Sequence, residues 1–429
     1  MYFGLMIAIF VIGYAMIALE HPLKINKSAT AVLLAAVIWA VFALFGPGIK
    51  DGALIHHLGE TAEILFFLLG AMTIVEIIDK HDGFSIITDR ITTTSKRKLL
   101  WIISILTFFM SAVLDNLTTS IVMCALLRKL VGDKNTRWFF AGMVILAANA
   151  GGAWSPIGDV TTIMLWIKGN ITAGNIILET IIPSLVSLLV PVAIIGMTMK
   201  GKLERPEKTE SEATSSVTRK QSLLILCMGV ALLLFVPFFK TITHLPPYLG
   251  ILFGLGILWI TTEIMHKNNP TNYSRLNVTA IIQKVDVPSV LFFLGILMAV
   301  SCLNEAGHLG QLAGALNELG NVYVINIVIG VLSSIIDNVP LVAAAMGMYP
   351  IEAIGNFAVD GAFWEGLAYC AGTGGSLLII GSAAGVAVMG MEKIDFIWYL
   401  KKISLWALVG YLAGAGTFYL MSQFIFHVA

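Results

Sequence analysis

Ser111-Ala-Val-Leu-Asp115-Asn116-Leu-Thr118-Thr119-Ser120 sits at the middle of the apolar segment 98–130, and Ser333-Ser-Ile-Ile-Asp337-Asn338-Val-Pro340 sits at the middle of another, 322–349. Each segment is short for two crossings with a turn, and each carries its polar residues at the midpoint and not at the ends. Both therefore read as re-entrant hairpins, which are tolerated at membrane depth only where they are packed in protein or line a water-filled cavity. A carboxylate at that depth costs at least about 2.5 kcal/mol, which marks Asp115 and Asp337 as working groups with partners. The plainer alternative is that each Asp caps the second helix of its hairpin.

The rest of the chain supplies the membrane. Of its 429 residues 58% are hydrophobic and 12% charged, against roughly half and a quarter in soluble domains. Apolar runs near the ~20 residues that a crossing helix needs recur along the length. They predict spans at 2–19, 29–45, 62–78, 139–168, 176–199, 221–239, 246–265, 288–303, 357–390 and 403–425. The first has no basic stretch before it and no small-residue cleavage site behind it, so it reads as a retained span. The four cysteines lie in apolar segments without metal or disulfide spacing and read as packing residues. Nothing points to an enzyme, a cofactor or nucleic acid.

Charge sets the sides. With the N-terminus outside and one crossing per span, 23 of the 26 Lys and Arg residues fall in inner loops, and only Lys50, Lys168 and Lys240 fall outside. Such an excess is the positive-inside pattern. Loop 200–220, of composition GKLERPEKTESEATSS, is then cytoplasmic and solvated.

Internal similarity predicts the architecture. Leu65-Phe66-Phe67-Leu68 recurs as Leu291-Phe292-Phe293-Leu294, the Asp-Asn segment recurs 222 residues on, and Gly151-Gly152 with Gly158 recurs as Gly374-Gly375 with Gly381. Three matches in one order at nearly one offset mark a duplication. The expected fold is an all-α polytopic membrane protein of two repeats: 1–199 (hairpin 98–130, unwound helix 139–168) and 221–429 (hairpin 322–349, unwound helix 357–390), joined by 200–220. Five spans per repeat is odd, so the second repeat is inverted. Inverted repeats with interrupted helices are the layout of alternating-access transporters.

The glycine breaks carry the other polar groups. Asn149-Ala-Gly151-Gly152-Ala-Trp-Ser155-Pro156-Ile-Gly158-Asp159-Val-Thr161-Thr162 cannot continue as an ordinary helix, since Gly and Pro cost roughly 1 and 3 kcal/mol per position. Unwinding frees carbonyls, and Asp159, Thr161 and Thr162 add side-chain oxygens. The counterpart Thr373-Gly374-Gly375-Ser376 to Gly381-Ser382 keeps the glycines, with Ser382 in place of Asp159. An oxygen-only set suits a hard cation, and burial penalises the bare anion, so proton and cation can compete for one carboxylate. The expected cation and proton residues are Asp115, Asn116, Thr118, Asn149, Asp159, Thr161, Thr162, Asp337, Asn338 and Ser376. Within that set Asp115, Asn116, Asn149 and Asp159 hold the metal ion, with Asp115 principal and Asp337 its unequal partner. Ser111, Ser155, Ser333, Thr373, Ser382, Glu63 and Asp286 are accessory candidates. His56 and His57 read as outer-loop residues.

DNLTT at 115–119, NAGGAWSPIGDVTT at 149–162, DNVP at 337–340 and TGGSLLIIGSAAG at 373–385 resemble the NhaD-type sodium/proton antiporters of the ion transporter superfamily. The resemblance implies exchange of internal Na+ or Li+ for external protons, a lipid-embedded homodimer with a scaffold and a moving part, and the bacterial inner membrane, with a periplasmic N-terminus as the charge pattern has it. The wider superfamily includes sodium-coupled carriers of dicarboxylates and citrate, which is the alternative. A fixed carboxylate where those carriers commonly have serine would repel a di-anion at close range. An intramembrane hydrolase built on Asp115 and Asp337 lacks a protease-like motif.

Overall fold

Long apolar stretches opened by polar caps give the chain its form. The computed structural model describes residues 2–203, 217–267 and 276–426; positions 204–216 of the 200–220 linker lie outside them. The described residues are helical apart from turns and two isolated β-bridges, Ser95 with Lys202 and Glu352 with Ala358. Among the described residues, eight helices are long and apolar enough to cross a membrane: Lys27–Phe45, Ala53–Lys80, Lys96–Leu114, Ala173–Thr198, Arg219–Thr243, Pro247–His266, Val287–Glu305 and Ser404–Phe426. The chain is thus a multi-pass membrane protein. Most of its helices start where a side chain can take up a free N–H. Asp133 accepts from the Thr136 amide at 2.7 Å, and Thr218 forms a reciprocal capping box with Gln221.

Four interrupted elements sit among the continuous helices. Helices Lys96–Leu114 and Asn116–Leu130 pack on one another and join at Asp115 alone; Val322–Leu332 and Asn338–Met348 join through 333–337. Lys134–Ala153 gives way to Val160–Lys168 across 154–159, and Ala362–Gly374 to Ala383–Glu392 across 375–382. The breaks fall inside the expected spans 139–168 and 357–390.

Glycine explains how closely these pieces approach. A methyl on Gly151 would lie 2.1 Å from the Phe108 carbonyl oxygen, and one on Gly374 would lie 2.0 Å from that of Gly330. Each broken helix thus lies backbone to backbone on the helix that leads to an Asp-Asn break. Ser111 and Ser333 fasten the same contacts, donating to the carbonyls of Ala148 at 2.6 Å and Ala371 at 2.8 Å. Elsewhere Lys27–Phe45 runs along Val287–Glu305, where a methyl on Gly295 would meet the Ala31 backbone at 2.4 Å.

One expectation is corrected. The third span is not 62–78 but Ala53–Lys80, so His56 and His57 are helical and not in an outer loop. The helix starts early because Gly52 turns the chain at φ 81°, and Glu60 then faces both histidines one turn on, at 3.5 and 3.7 Å.

Candidate cation site

At both Asp-Asn breaks the aspartate sits one residue before a helix and the asparagine on its first turn, and this register decides where each side chain goes. Asp115 turns back on its own helix: its carboxylate accepts the Thr118 N–H at 2.7 Å and the Thr118 hydroxyl at 2.9 Å. Its backbone is held at φ 70°, a conformation that L residues seldom adopt and that costs about 1–3 kcal/mol. Asp337 caps the Val339 amide at 3.3 Å. Pro340 replaces the Thr118 equivalent, and the free side of Asp337 meets Lys27 instead, Nζ to carboxylate 3.8 Å. Tyr14 Oη accepts the Asp337 N–H at 2.7 Å.

The asparagines reach inward and converge on Asp159. Asn116 Nδ2 donates to Asp159 Oδ2 at 2.5 Å, and Asn338 Nδ2 lies 3.4 Å from each of the two carboxylate oxygens. Asp159 is 1% exposed and caps Val160–Lys168, accepting the Thr161 N–H at 2.9 Å and the Thr161 hydroxyl at 2.8 Å. Its backbone carbonyl accepts from the Thr162 hydroxyl. Every hydrogen-bond partner of Asp159 is neutral.

Asn149 joins the two broken helices. Its Oδ1 accepts from Asn116 Nδ2 at 3.1 Å, while its Nδ2 donates to the hydroxyls of Ser376 and Ser382 at 2.9 Å each. Residues 227 and 233 positions apart in sequence therefore share one amide.

The expected set divides accordingly. Asn116, Asn149, Asp159, Thr161, Thr162, Asn338, Ser376 and Ser382 form one connected buried cluster. Asp115 with Thr118 flanks it on one side and Asp337 on the other. Ser155 donates to the Ala112 carbonyl and Thr373 to that of Tyr369, both holding backbone. Glu63 lies near Lys240, and Asp286 is exposed and caps Ser289; neither joins the cluster. Lys27 and Tyr14 are the additions. Lys27 opens a helix and counts in sequence as one more inner-loop charge; nothing in its neighbourhood points to Asp337, 310 residues away.

A large cavity has none of the clustered residues in its lining, and a small one touches Asp337. The first, of about 360 Å³, lies at the end of the bundle that carries His57, Glu60, Asn170, Asn304 and Tyr349. The second, of about 40 Å³, is lined by Asp337, Lys27, Tyr14 and Glu20. Amide, hydroxyl and carboxylate oxygens around one buried acid form a donor set for a hard cation or a proton.

Known transporters share much of this sequence. The sequence profile described as "Citrate transporter" (CitMHS) matches residues 14–364. Sodium/proton antiporter 2 of Arabidopsis thaliana is 45% identical over 98% of this chain and the whole of that protein. Sodium/proton antiporter 1 of the same plant is 47% identical over 99% of this chain and 73% of its own length. The Na+/H+ antiporter NhaD of Vibrio cholerae is 33% identical over 92% of this chain and 86% of its own length. These relatives are transporters, not enzymes.

Proposed function

Because the chain belongs to the citrate-transporter family, and within it to the NhaD-type antiporters of the ion transporter superfamily, we propose that it exchanges Na+ or Li+ for protons across a membrane by alternating access. The observation that carries the reading is Asp159, a buried carboxylate with amides of both hairpins on it and no cationic partner among the described residues. Burial penalises the bare anion, so the site is filled either by a proton or by a cation, one excluding the other. A carboxamide can offer its NH2 or its oxygen. Asn116 and Asn338, which turn NH2 towards this carboxylate, need only rotate to add oxygen ligands to a bound ion. Asp115 and Asp337 hold the tips that deliver these amides, and Lys27 stands beside Asp337 as its counter-charge. Asp159 thus takes the principal place that sequence reasoning gives to Asp115.

In this reading residues 1–199 and 221–429 are inverted repeats, the hairpins 98–130 and 322–349 enter from opposite faces, and the linker 200–220 is cytoplasmic. Contacts support the sides: Lys96 pairs its backbone with Gly201 at the end carrying the basic residues, while Thr172 meets Asp360 at the other. We place the protein in a bacterial inner membrane as a homodimer.

The family description favours one competing reading, a sodium-coupled citrate or dicarboxylate carrier. Asp159 stands against it, since like charges at close range in a poorly solvated site cost several kcal/mol. Everted vesicles separate the two. Adding Na+ should collapse a pre-formed pH gradient with the wild-type chain and not with Asp159→Asn. Na+-dependent uptake of labelled citrate, or exchange by Asp159→Asn at the wild-type rate, would refute the proposal.

A further inference from the structure

Away from Asp159, the described residues include a buried carboxyl group whose oxygens accept from no donor. Glu365 lies in the first turn of Ala362–Gly374, is 0% exposed, and neither Oε1 nor Oε2 accepts from a neighbour. An ionised carboxylate left so would cost several kcal/mol. The charged groups acting on it are themselves acids, Glu179 and Asp360. Glu179, on Ala173–Thr198, is 4% exposed, whereas Asp360, in the loop before Glu365, is partly exposed and accepts from the Thr172 N–H at 2.5 Å and the Thr172 hydroxyl at 2.9 Å.

The other helices packed on Ala362–Gly374 do not neutralise the group. Val322–Leu332 brings Tyr323, bonded to Ser422; Ser404–Met421 brings Tyr411, which donates to the Ile327 carbonyl; Val160–Lys168 brings Lys168, paired with Glu60. Asn338–Met348 has no ionisable side chain, and those of Lys134–Ala153 lie in its first turn, on the opposite face. The arrangement is then an acid ladder running inward from a surface carboxylate. Next to Glu179, the Thr180 hydroxyl lies 3.4 Å from the Ala153 carbonyl, at the edge of the first helix break. The ladder thus ends beside the candidate cation site without touching it.

We propose that Glu365, paired with Glu179, is a second proton-binding site, loaded through Asp360 from the face opposite the 200–220 linker. Protonation converts the Glu365 carboxylate to an acid that donates to a neighbouring carboxylate. The same proton leaves along Glu179 or Asp360 when the ladder empties. The proposal rests on the sodium/proton exchange above, and the two are separable.

The full chain is reconstituted and read in two modes: Na+-driven proton flux, and ²²Na+/Na+ exchange at equal concentrations, which needs no net proton movement. In Glu365→Gln the proton flux falls roughly a hundredfold and its pH profile flattens, the scale of a lost proton-transfer group, while ²²Na+/Na+ exchange stays within about twofold of wild type. Wild-type proton flux in Glu365→Gln across pH 6 to 9 overturns the proposal, and so does equal loss of both modes, which would mark a structural role. If Glu365→Gln does not fold, Glu179→Gln is held to the same criteria. A wild-type chain with neither mode overturns both this inference and the antiport reading; a wild-type chain with both modes and an indifferent Glu365→Gln overturns this one alone.

Discussion

Asn149, on the first broken helix, hydrogen-bonds Asn116 and the polar segment of the second broken helix, and removing it tests whether the cluster acts as a unit. Asn149→Ala deletes three buried hydrogen bonds, to Asn116, Ser376 and Ser382. At about 1 kcal/mol net each, the loss is about 3 kcal/mol. The double variant Ser376→Ala with Ser382→Ala deletes two of the same three bonds, so it costs about 2 kcal/mol. All three substitutions together should then cost about 3 kcal/mol, with a coupling of about 2 kcal/mol. An entropy of unfolding near 0.9 kcal/mol per degree, scaled from soluble domains to this length, makes the Asn149→Ala shift about 3 °C. Thermal unfolding of the purified chain in detergent, followed by tryptophan fluorescence, reads each corner of the cycle. Strict additivity, with coupling below about 0.5 kcal/mol, would show that the amide does not join the two halves and would refute the reasoning.

Other perturbations test other parts of the fold. Glu392 accepts from Arg128 Nε at 2.6 Å and Arg137 Nε at 2.8 Å, with its own side chain 1% exposed; Glu392→Gln should cost about 2 kcal/mol, discounted because Arg128 is half exposed, and lower the melting temperature accordingly. Gly151→Ala drives a methyl into the Phe108 backbone, which cannot yield as a side chain could; poor folding yield is expected, where Gly174→Ala, with open space around it, should behave as wild type. His81 donates from Nδ1 to the Ile77 carbonyl at 2.7 Å and so must accept at Nε2 from His266 at 3.0 Å. Burial, with a smaller push from His266, brings the His81 imidazole down to about 4 from its ordinary ~6.5. A lowered histidine stabilises the fold fully above ~6.5, and that contribution of up to about 3 kcal/mol is lost as pH falls from 6.5 towards 4. Melting temperatures across that window should drop, and His81→Gln should flatten the slope.

Hydropathy, basic residues and glycine spacing make much of this legible in the sequence. The breaks at 154–159 and 375–382 follow from Gly and Pro, whose cost to a helix is local. Asn149, Asp159 and Ser376 come to attention because they border those breaks. What the sequence does not reveal is direction. Asp and Asn at a hairpin tip look equivalent as polar residues at depth, yet a one-residue difference in register turns Asp115 onto the Thr118 amide and Asn116 towards Asp159. Long-range pairing is equally silent: Lys27 reads as a loop cation until Asp337 is found beside it, and Glu365, within the expected span 357–390, draws no notice until its burial is known.

The neutrality of the partners around Asp159 has one more effect. With no resident ammonium or guanidinium to neutralise it, the vacant carboxylate would carry a net charge through the low-dielectric middle of every cycle, at a cost of several kcal/mol. Loaded with either ion it carries none. In the proposed exchange, idle return strokes would therefore be suppressed, and an ion gradient would drive the cycle with little slip.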